Sequence, residues 1–221
     1  IYKTITILNW RLMHLKDTRL RKMTLIGIFT AMSNILYFIH VPLPIFPSFL
    51  SLDLSDIPAL VIGIIYGPLM GIMVEFLKNV ISYLLQGSYV GLPMGQIANF
   101  CSGAIMIGLV SLLYRKWNKP SILSFIPIIF LFLASMFILN LYLLLPAIVK
   151  LLGMNMGEYI NWIKATNPYV TSLESVVLLV ITPFNLLKVL LVYLCGIPIA
   201  LKLKIILNKK PIPFPKERNV N

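Results

Sequence analysis

From Ile122 to Val149 the chain runs without a single acidic or basic side chain. A helix needs roughly 20 mostly apolar residues to cross the hydrocarbon core of a bilayer, and this run is longer than that. The whole sequence is similarly apolar, because 59% of its 221 residues are hydrophobic and only 12% are charged. This composition lies far outside that of a soluble domain. It predicts an all-α membrane protein with no soluble domain left over.

Prolines, glycines and charge clusters divide the sequence into six predicted transmembrane helices. The expected spans are 24–41, 57–66, 69–85, 95–114, 122–149 and 176–199, the last continuing as an amphipathic segment to Leu207. A proline-rich loop, 42–50, follows the first span at its outer end, where we expect it to act as a lid. The predicted organisation is therefore a basic cytoplasmic or interfacial segment 1–23, a six-helix transmembrane domain 24–207 and a basic tail 208–221.

The basic residues outnumber the acidic ones by 19 to 7, for a net charge of +12. Such an excess would suggest nucleic-acid binding in a soluble protein, but beside apolar spans it is typical of cytoplasmic loops. Segment 1–23 holds six Lys and Arg residues, segment 115–119 three and segment 202–218 six, together 15 of the 19. An even number of spans places all three clusters on one face. We predict a multi-pass protein of the cell (inner) membrane with both termini cytoplasmic and no nucleic-acid partner.

Residues for catalysis or metal binding are few. Cys101 and Cys195 lie in predicted spans without CxxC spacing, and the only histidines are His14 and His40. We therefore expect no metal site and no catalytic residue. The sequence also lacks the Walker A pattern GxxxxGK[ST], so any ATP hydrolysis that drives this protein must come from partner subunits.

Three ionisable side chains, Glu75, Lys78 and Lys188, fall within predicted spans. Such groups are energetically expensive at membrane depth and are therefore candidates for a functional site. Glu75 and Lys78 are three residues apart on one helix face, which favours a structural ion pair. Asn79 and Ser82 extend the same polar stripe.

Lys188 has no acidic residue within a helical turn, and it follows Asn185 by three residues on the same helix face. We interpret the two as ligand-binding residues, the alternative being a lysine that snorkels to the membrane surface. Asn140 falls in the same outer half of the bilayer. Gln96 and Asn99 lie at similar depth, although amide bonds between helices explain them equally well. These residues predict an outward-facing apolar pocket with a few amides and one cation, suited to a flat, largely neutral heterocycle.

Gly27 and Ala31 lie four residues apart in the cytoplasmic half of the first span. Small residues at this spacing leave a flat strip on which another helix can approach closely. The spacing is common in membrane helices, so on its own it indicates little.

Several motifs, taken in order, resemble the riboflavin-specific substrate-binding (S) components of energy-coupling factor (ECF) transporters. The resemblance covers residues 22 to 205 and rests on the sequences PLPIFP at 42–47, LSLDLSDIP at 50–58, YGPLMGIMVEFLKN at 66–79, LQGSYVGLPMGQIANF at 85–100, NLYLLLP at 140–146 and PFNLLK at 183–188. Each motif alone is weak, whereas the ordered set is specific.

The resemblance implies a six-helix S-component fold with a high-affinity site for one riboflavin molecule. That site would be lined by the first outer loop, including Leu43 and Phe46, and by spans four to six. Asn140, Asn185 and Lys188 match family positions that contact the flavin. An Asn amide can pair with N3–H and the adjacent carbonyl of the isoalloxazine ring, and a Lys ammonium suits its O2/N1 side. Riboflavin would then be a transported substrate, and no cofactor is expected.

The resemblance also implies a transmembrane coupling subunit and two cytosolic ATPase subunits as partners. The family's small-residue motif, which packs against the coupling subunit, maps onto Gly27 and Ala31. It usually has Ala at both ends, so Gly27 departs from it while keeping a flat surface. The alternatives are an S component for another vitamin or for FMN, and an ion-coupled carrier. An intramembrane enzyme is disfavoured because the spans offer no nucleophile paired with a base and no GxSxG element.

Overall fold

The computed structural model describes residues 2–47, 50–87, 92–117 and 120–209, with side chains from Arg19 to Leu207 within those ranges. The described chain contains nine α-helices and one two-stranded sheet. Their bounds are α1 Tyr2–Tyr37, β1 His40–Pro42, β2 Ser51–Asp53, α2 Asp56–Tyr66, α3 Pro68–Gln86, α4 Met94–Lys116, α5 Phe125–Leu139, α6 Leu145–Leu151, α7 Met156–Lys164, α8 Leu173–Val176 and α9 Thr182–Lys209.

Four helical segments of the described chain are long and apolar enough to cross a membrane. They are Pro68–Gln86, Met94–Lys116, Ile122–Leu151 and Leu173–Leu207. Helix α2 is apolar but shorter, and the C-terminal part of α1 packs against α2 and α3. These six segments are compatible with the six predicted spans. The predicted basic tail lies outside the described residues from position 210 onward.

The predicted end of the first span, Val41, is wrong. Helix α1 ends at Tyr37, and Val41 lies instead in β1, opposite Leu52 of the antiparallel β2. The residue before a proline is driven out of the α-helical region, and Pro42 therefore holds Val41 in extended backbone. The loop that was expected to follow the span therefore connects the two strands of a short β-hairpin. We call the end of the bundle that carries it the hairpin end.

Helix α2 occupies the centre of the bundle. It contacts α1, α3, α4 and α9, and its residues from Asp56 to Ile64 are all buried. A helix that is apolar on all sides is expected to be surrounded by protein, and α2 fits that rule from Ile57 onward. The main hydrophobic core therefore forms around it, with contributions from Leu60, Ile62, Val74, Met106, Ile107, Val189 and Val192.

Two glycines let α2 and α3 cross closely beneath α4. A Cβ atom on Gly71 would lie 2.7 Å from the carbonyl oxygen of Ala59 and 2.9 Å from the Cα atom of Gly63. A Cβ atom on Gly63 would lie 2.6 Å from Ser111 Oγ. Backbone atoms cannot move aside as a flexible side chain can, so Gly71 is the more constrained position.

We expect Gly71→Ala to destabilise the protein by about 1–3 kcal/mol, the usual range for forcing extra atoms into a packed core. Thermal unfolding in detergent measures this effect. Gly27→Ala is the matched control, because a Cβ atom there would meet nothing within 4 Å. An unfolding midpoint for Gly71→Ala that equals or exceeds that of the parent would show that the two helices can separate without loss.

Two π-turns interrupt the long spans, at Asn140–Leu144 between α5 and α6 and at Val177–Ile181 between α8 and α9. Each is followed within two residues by a proline, Pro146 or Pro183. A proline has no N–H to donate and its ring clashes with the carbonyl four residues earlier. The local widening accommodates both effects. π-Turns inside helices are frequent at functional sites, which directs attention to Asn140 and to the start of α9.

A second hydrophobic cluster closes the hairpin end. Tyr159 and Ile163 of α7 are buried in it, and Phe46 and Leu50 of the loop between β1 and β2 pack against it. Helix α7 is not among the predicted elements. Its start is nevertheless marked by a capping box, in which the Asn155 side chain accepts from the Glu158 backbone N–H and Glu158 accepts in return.

Candidate functional site

Asp56, the first residue of α2, lies inside the bundle. The predicted spans 24–41 and 57–66 leave Asp53 and Asp56 in the connection between them, but the structure buries both, with exposures of 6% and 0%. Asp56 Oδ1 is 2.5 Å from Lys78 Nζ of α3, and Asp56 Oδ2 is 2.9 Å from Lys188 Nζ of α9. One carboxylate therefore bridges two lysines from different helices.

A second set of side-chain contacts also connects Lys78 with Lys188. Lys78 Nζ lies 2.6 Å from Glu75 Oε1, and the same oxygen accepts from Asn79 Nδ2 at 2.9 Å. Asn99 Nδ2 of α4 donates to Asn79 Oδ1 at 3.2 Å, and Lys188 Nζ donates to Asn99 Oδ1 at 2.6 Å. The contacts thus return to Lys188.

These contacts form a closed loop of side chains from α2, α3, α4 and α9, which we call the polar ring. Its members are Asp56, Glu75, Lys78, Asn79, Asn99 and Lys188. Buried charges are tolerated when paired and hydrogen-bonded, and breaking such a pair by removing one partner is strongly destabilising. The ring therefore ties four helices together and pairs the buried carboxylates with the buried ammonium groups.

Lys188 differs from the expectation in its charge environment. The sequence offered no acidic partner within a helical turn, and the structure supplies one from α2, far away in the chain. Because Lys188 is only 5% exposed and ion-paired, the alternative of a lysine snorkelling to the membrane surface does not hold. The site contains a neutralised lysine where an isolated cation was expected.

The structural ion pair predicted for Glu75 and Lys78 is confirmed. Both side chains are completely buried. Gly103 of α4 makes room for them, since a Cβ atom there would collide with the carboxyl group of Glu75. Ser82, on the same stripe, donates to Asn34 Oδ1 of α1 at 3.2 Å.

Asn140 and Asn185 are both 6% exposed and sit beside the two π-turns. Asn140 begins the first turn, and its Nδ2 donates to the carbonyl of Met136 at 2.7 Å. Asn185 lies four residues after the second turn and three before Lys188. Helix α5 contacts both α9 and the turn that precedes it. The two amides therefore lie on neighbouring helices, at the hairpin-end part of each.

The loop between β1 and β2 reaches the start of α9. The Phe46 ring packs edge-on against Phe184, with centroids 5.4 Å apart, next to Asn185. Leu43 and Phe46 are half-buried, and the carbonyl of Leu43 accepts from the Phe46 N–H at 2.9 Å. Gln96 Nε2 donates to the carbonyl of Gly87 at 3.0 Å, which joins the start of α4 to the end of α3. Asn99, unlike Gln96, contacts Lys188.

Gly27 and Ala31 lie away from these residues, on an exposed face of α1. A Cβ atom on Gly27 would meet nothing within 4 Å. The strip that the sequence analysis singled out is therefore open for contact with another molecule.

The role of Asp56 and its neighbours was not predicted from the sequence. Lys78 Nζ donates to Ser55 Oγ at 3.1 Å, and Ser55 donates from both its backbone N–H and its hydroxyl to Asp53 Oδ1. The motif LSLDLSDIP alternates polar and apolar residues directly before an apolar helix. The short polar residues of this motif could have indicated a buried site, but their partner Lys78 lies more than twenty residues farther along the chain.

The family described as "ECF transporter, substrate-specific component" matches residues 21–200. The chain is 32% identical over 192 residues to "Riboflavin transporter FmnP" of Bacillus subtilis (strain 168), covering 84% of this chain and 93% of that protein. It is 31% identical over 172 residues to "Riboflavin transporter RibU" of Staphylococcus aureus (strain TCH60), covering 76% and 82%.

A solved structure, "Structure and mechanism of the S component of a bacterial ECF transporter", has the same fold. It superposes with a TM-score of 0.63 at 28% sequence identity and covers 86% of this chain and 98% of that one. The family match extends over most of the chain and runs from the second half of α1 into α9. The chain therefore belongs to the substrate-specific components of ECF transporters, a family of integral membrane transport proteins.

Proposed function

We propose that this protein captures riboflavin for uptake, as the substrate-specific component of an ECF-type importer. The observation that carries the proposal is the arrangement at the start of α9. Asn185 and the ion-paired Lys188 lie one helical turn apart, beside the aromatic contact between Phe46 and Phe184. The relatives from B. subtilis and S. aureus, both named riboflavin transporters, support this choice of substrate.

The chemistry of these side chains suits the isoalloxazine ring. An Asn amide offers a donor and an acceptor side by side, which matches the N3–H and adjacent carbonyl of the flavin. A lysine ammonium donates to the O2/N1 side, and aromatic side chains pack well against flat rings. Asn140 on the neighbouring span, together with Leu43, Gln96 and Asn99, completes the proposed binding set.

Purification in detergent tests the substrate directly. We expect the protein to retain a yellow chromophore with quenched flavin fluorescence, or to bind added riboflavin with a measurable heat. Titration with FMN and with other vitamins in the same calorimeter tests the alternative substrates. A colourless protein that gives no heat with riboflavin would rule out riboflavin capture, and a heat with another vitamin alone would reassign the substrate.

We further propose that the end of the bundle opposite the hairpin faces the cytoplasm. Arg115 and Lys116 end α4, and Lys202 and Lys204 lie near the end of α9, which runs in the same direction. Basic residues beside spans are retained on the cytoplasmic side. Both termini would then be cytoplasmic, with segment 1–23 and tail 208–221 on that face of the inner membrane. Labelling of single cysteines introduced at either terminus, with an impermeant reagent, tests this orientation.

The partners proposed are a transmembrane coupling subunit and two cytosolic ATPase subunits. The exposed strip at Gly27 and Ala31 is the proposed contact with the coupling subunit, because small residues allow close helix approach within a bilayer. Energy for uptake would come from the ATPases.

A further inference from the structure

The ammonium group of Lys188 is held by contacts with two neighbouring helices. Two of its contacts are with protein atoms, Asp56 Oδ2 at 2.9 Å and Asn99 Oδ1 at 2.6 Å. An ammonium group carries three N–H donors. The hydrogen bond to Asn99 of α4 and the ion pair with Asp56 of α2 occupy two sides of the ammonium group, and its remaining side is left for a ligand.

Asp56 is itself held in place. Its Oδ1 contacts Lys78, so both carboxylate oxygens are engaged and the carboxylate plane cannot rotate freely. Lys78 is in turn fixed by Glu75 and by Ser55. The position of the Lys188 ammonium therefore depends on contacts that extend to α3 through Asp56.

Asp56 also determines the charge that a ligand meets. Among the described residues, the carboxylate in ion-pair contact with Lys188 is that of Asp56, whereas Glu75 contacts Lys78 and Asp53 is connected to Lys78 through Ser55. The positive charge of Lys188 is thus compensated before any ligand arrives. A compensated ammonium still donates a hydrogen bond, but it does not demand an anionic acceptor.

We propose that Asp56 is a positioning residue for substrate capture: it directs one N–H of Lys188 at the ligand and cancels the charge of that ammonium, so that the site accepts an uncharged acceptor such as a ring carbonyl. This inference rests on riboflavin capture as proposed above. It assigns to Asp56 no contact with the ligand.

A double-mutant cycle tests whether Asp56 acts through Lys188. We expect Asp56→Asn to lower the affinity for riboflavin by about tenfold or more in calorimetric titration, within the range of coupling energies for directly interacting residues. Lys188→Met should lower it as well. The Asp56→Asn/Lys188→Met double variant should bind no more weakly than Lys188→Met alone. Additive losses would overturn the proposal.

The reduction potential of the bound flavin gives a readout that a purely structural role would not change. Reduction places negative charge on the N1/O2 side of the flavin, and nearby protein charge tunes that potential. Without the Asp56 carboxylate, the uncompensated ammonium should stabilise the reduced form and raise the midpoint. The control Glu174→Gln removes an exposed carboxylate at the hairpin end and should leave the midpoint unchanged. An unchanged midpoint in Asp56→Asn would overturn the proposal.

Asp56→Asn leaves two buried lysines with one fewer carboxylate and could fail to fold. The Asp56→Asn/Lys78→Met variant removes one charge of each sign, and Glu75, which loses its lysine partner, keeps the hydrogen bond from Asn79 Nδ2. It should fold and still bind riboflavin about tenfold or more weakly, since Lys188 lacks its carboxylate. Wild-type affinity in that variant would refute the proposed role of Asp56 but not riboflavin capture. Absence of binding in the wild-type protein would instead refute riboflavin capture itself, and the inference with it.

Discussion

Lys188→Met is expected to lower riboflavin affinity by about 10- to 150-fold, the range that corresponds to losing one hydrogen bond from a charged group. Methionine approximates the length and volume of the lysine stem, so packing against α2 and α4 is largely kept. Asp56 retains its contact with Lys78, which should preserve the fold. Isothermal titration calorimetry of the detergent-solubilised protein measures the affinity, and thermal unfolding without ligand measures the stability.

Lys202→Met is the matched control for this prediction. Lys202 belongs to the same helix, is exposed and lies toward its opposite end. It should bind riboflavin as the parent does. If both variants bound riboflavin equally well, Lys188 would serve only to hold the helices together, and the proposed site would have to be moved.

The second large effect separates capture from transport. Gly27→Leu and Ala31→Leu should leave riboflavin affinity within about twofold of the parent, because both positions are exposed and Gly27 has open space around it. Uptake by cells that express the whole transporter should fall by about tenfold or more, since a leucine adds bulk where helices must meet closely. Uptake of labelled riboflavin and binding to the purified protein are measured in parallel.

Met32→Leu provides the control on the same helix. Met32 is exposed, and its replacement conserves volume, so neither binding nor uptake should change. Loss of riboflavin binding in Gly27→Leu would contradict the separation between binding site and docking strip. Normal uptake in both leucine variants would remove α1 as the docking face.

Periodicity and composition were sufficient to predict most of the architecture. The apolar runs from Pro68, Met94, Ile122 and Leu173 onward are helices, as predicted, because an apolar stretch of that length has few other structures available in a bilayer. The pairing of Glu75 with Lys78 was also predictable, since residues three apart on a helix are neighbours.

What the sequence could not provide was contact between distant segments. Asp56 lies 22 residues from Lys78 and much farther along the chain from Lys188. The three residues belong to different helices, and no local rule relates such positions. The β-hairpin was obscured because its strands are only three residues long. Helix α7 was missed because its apolar residues serve a local cluster at the end of the bundle.

The short length of α2 has a consequence for how the chain enters the membrane. Its 11 residues rise by roughly 16 Å, about half the thickness of the hydrocarbon core. A segment this short, with Asp56 at its start, is a poor substrate for insertion alone, whereas α2 and α3 together form a helical hairpin joined at Gly67. We expect Lys78 to enter the bilayer together with Asp56 during synthesis and to pair with its charge. Lys188, made more than a hundred residues later, completes the arrangement only when α9 arrives.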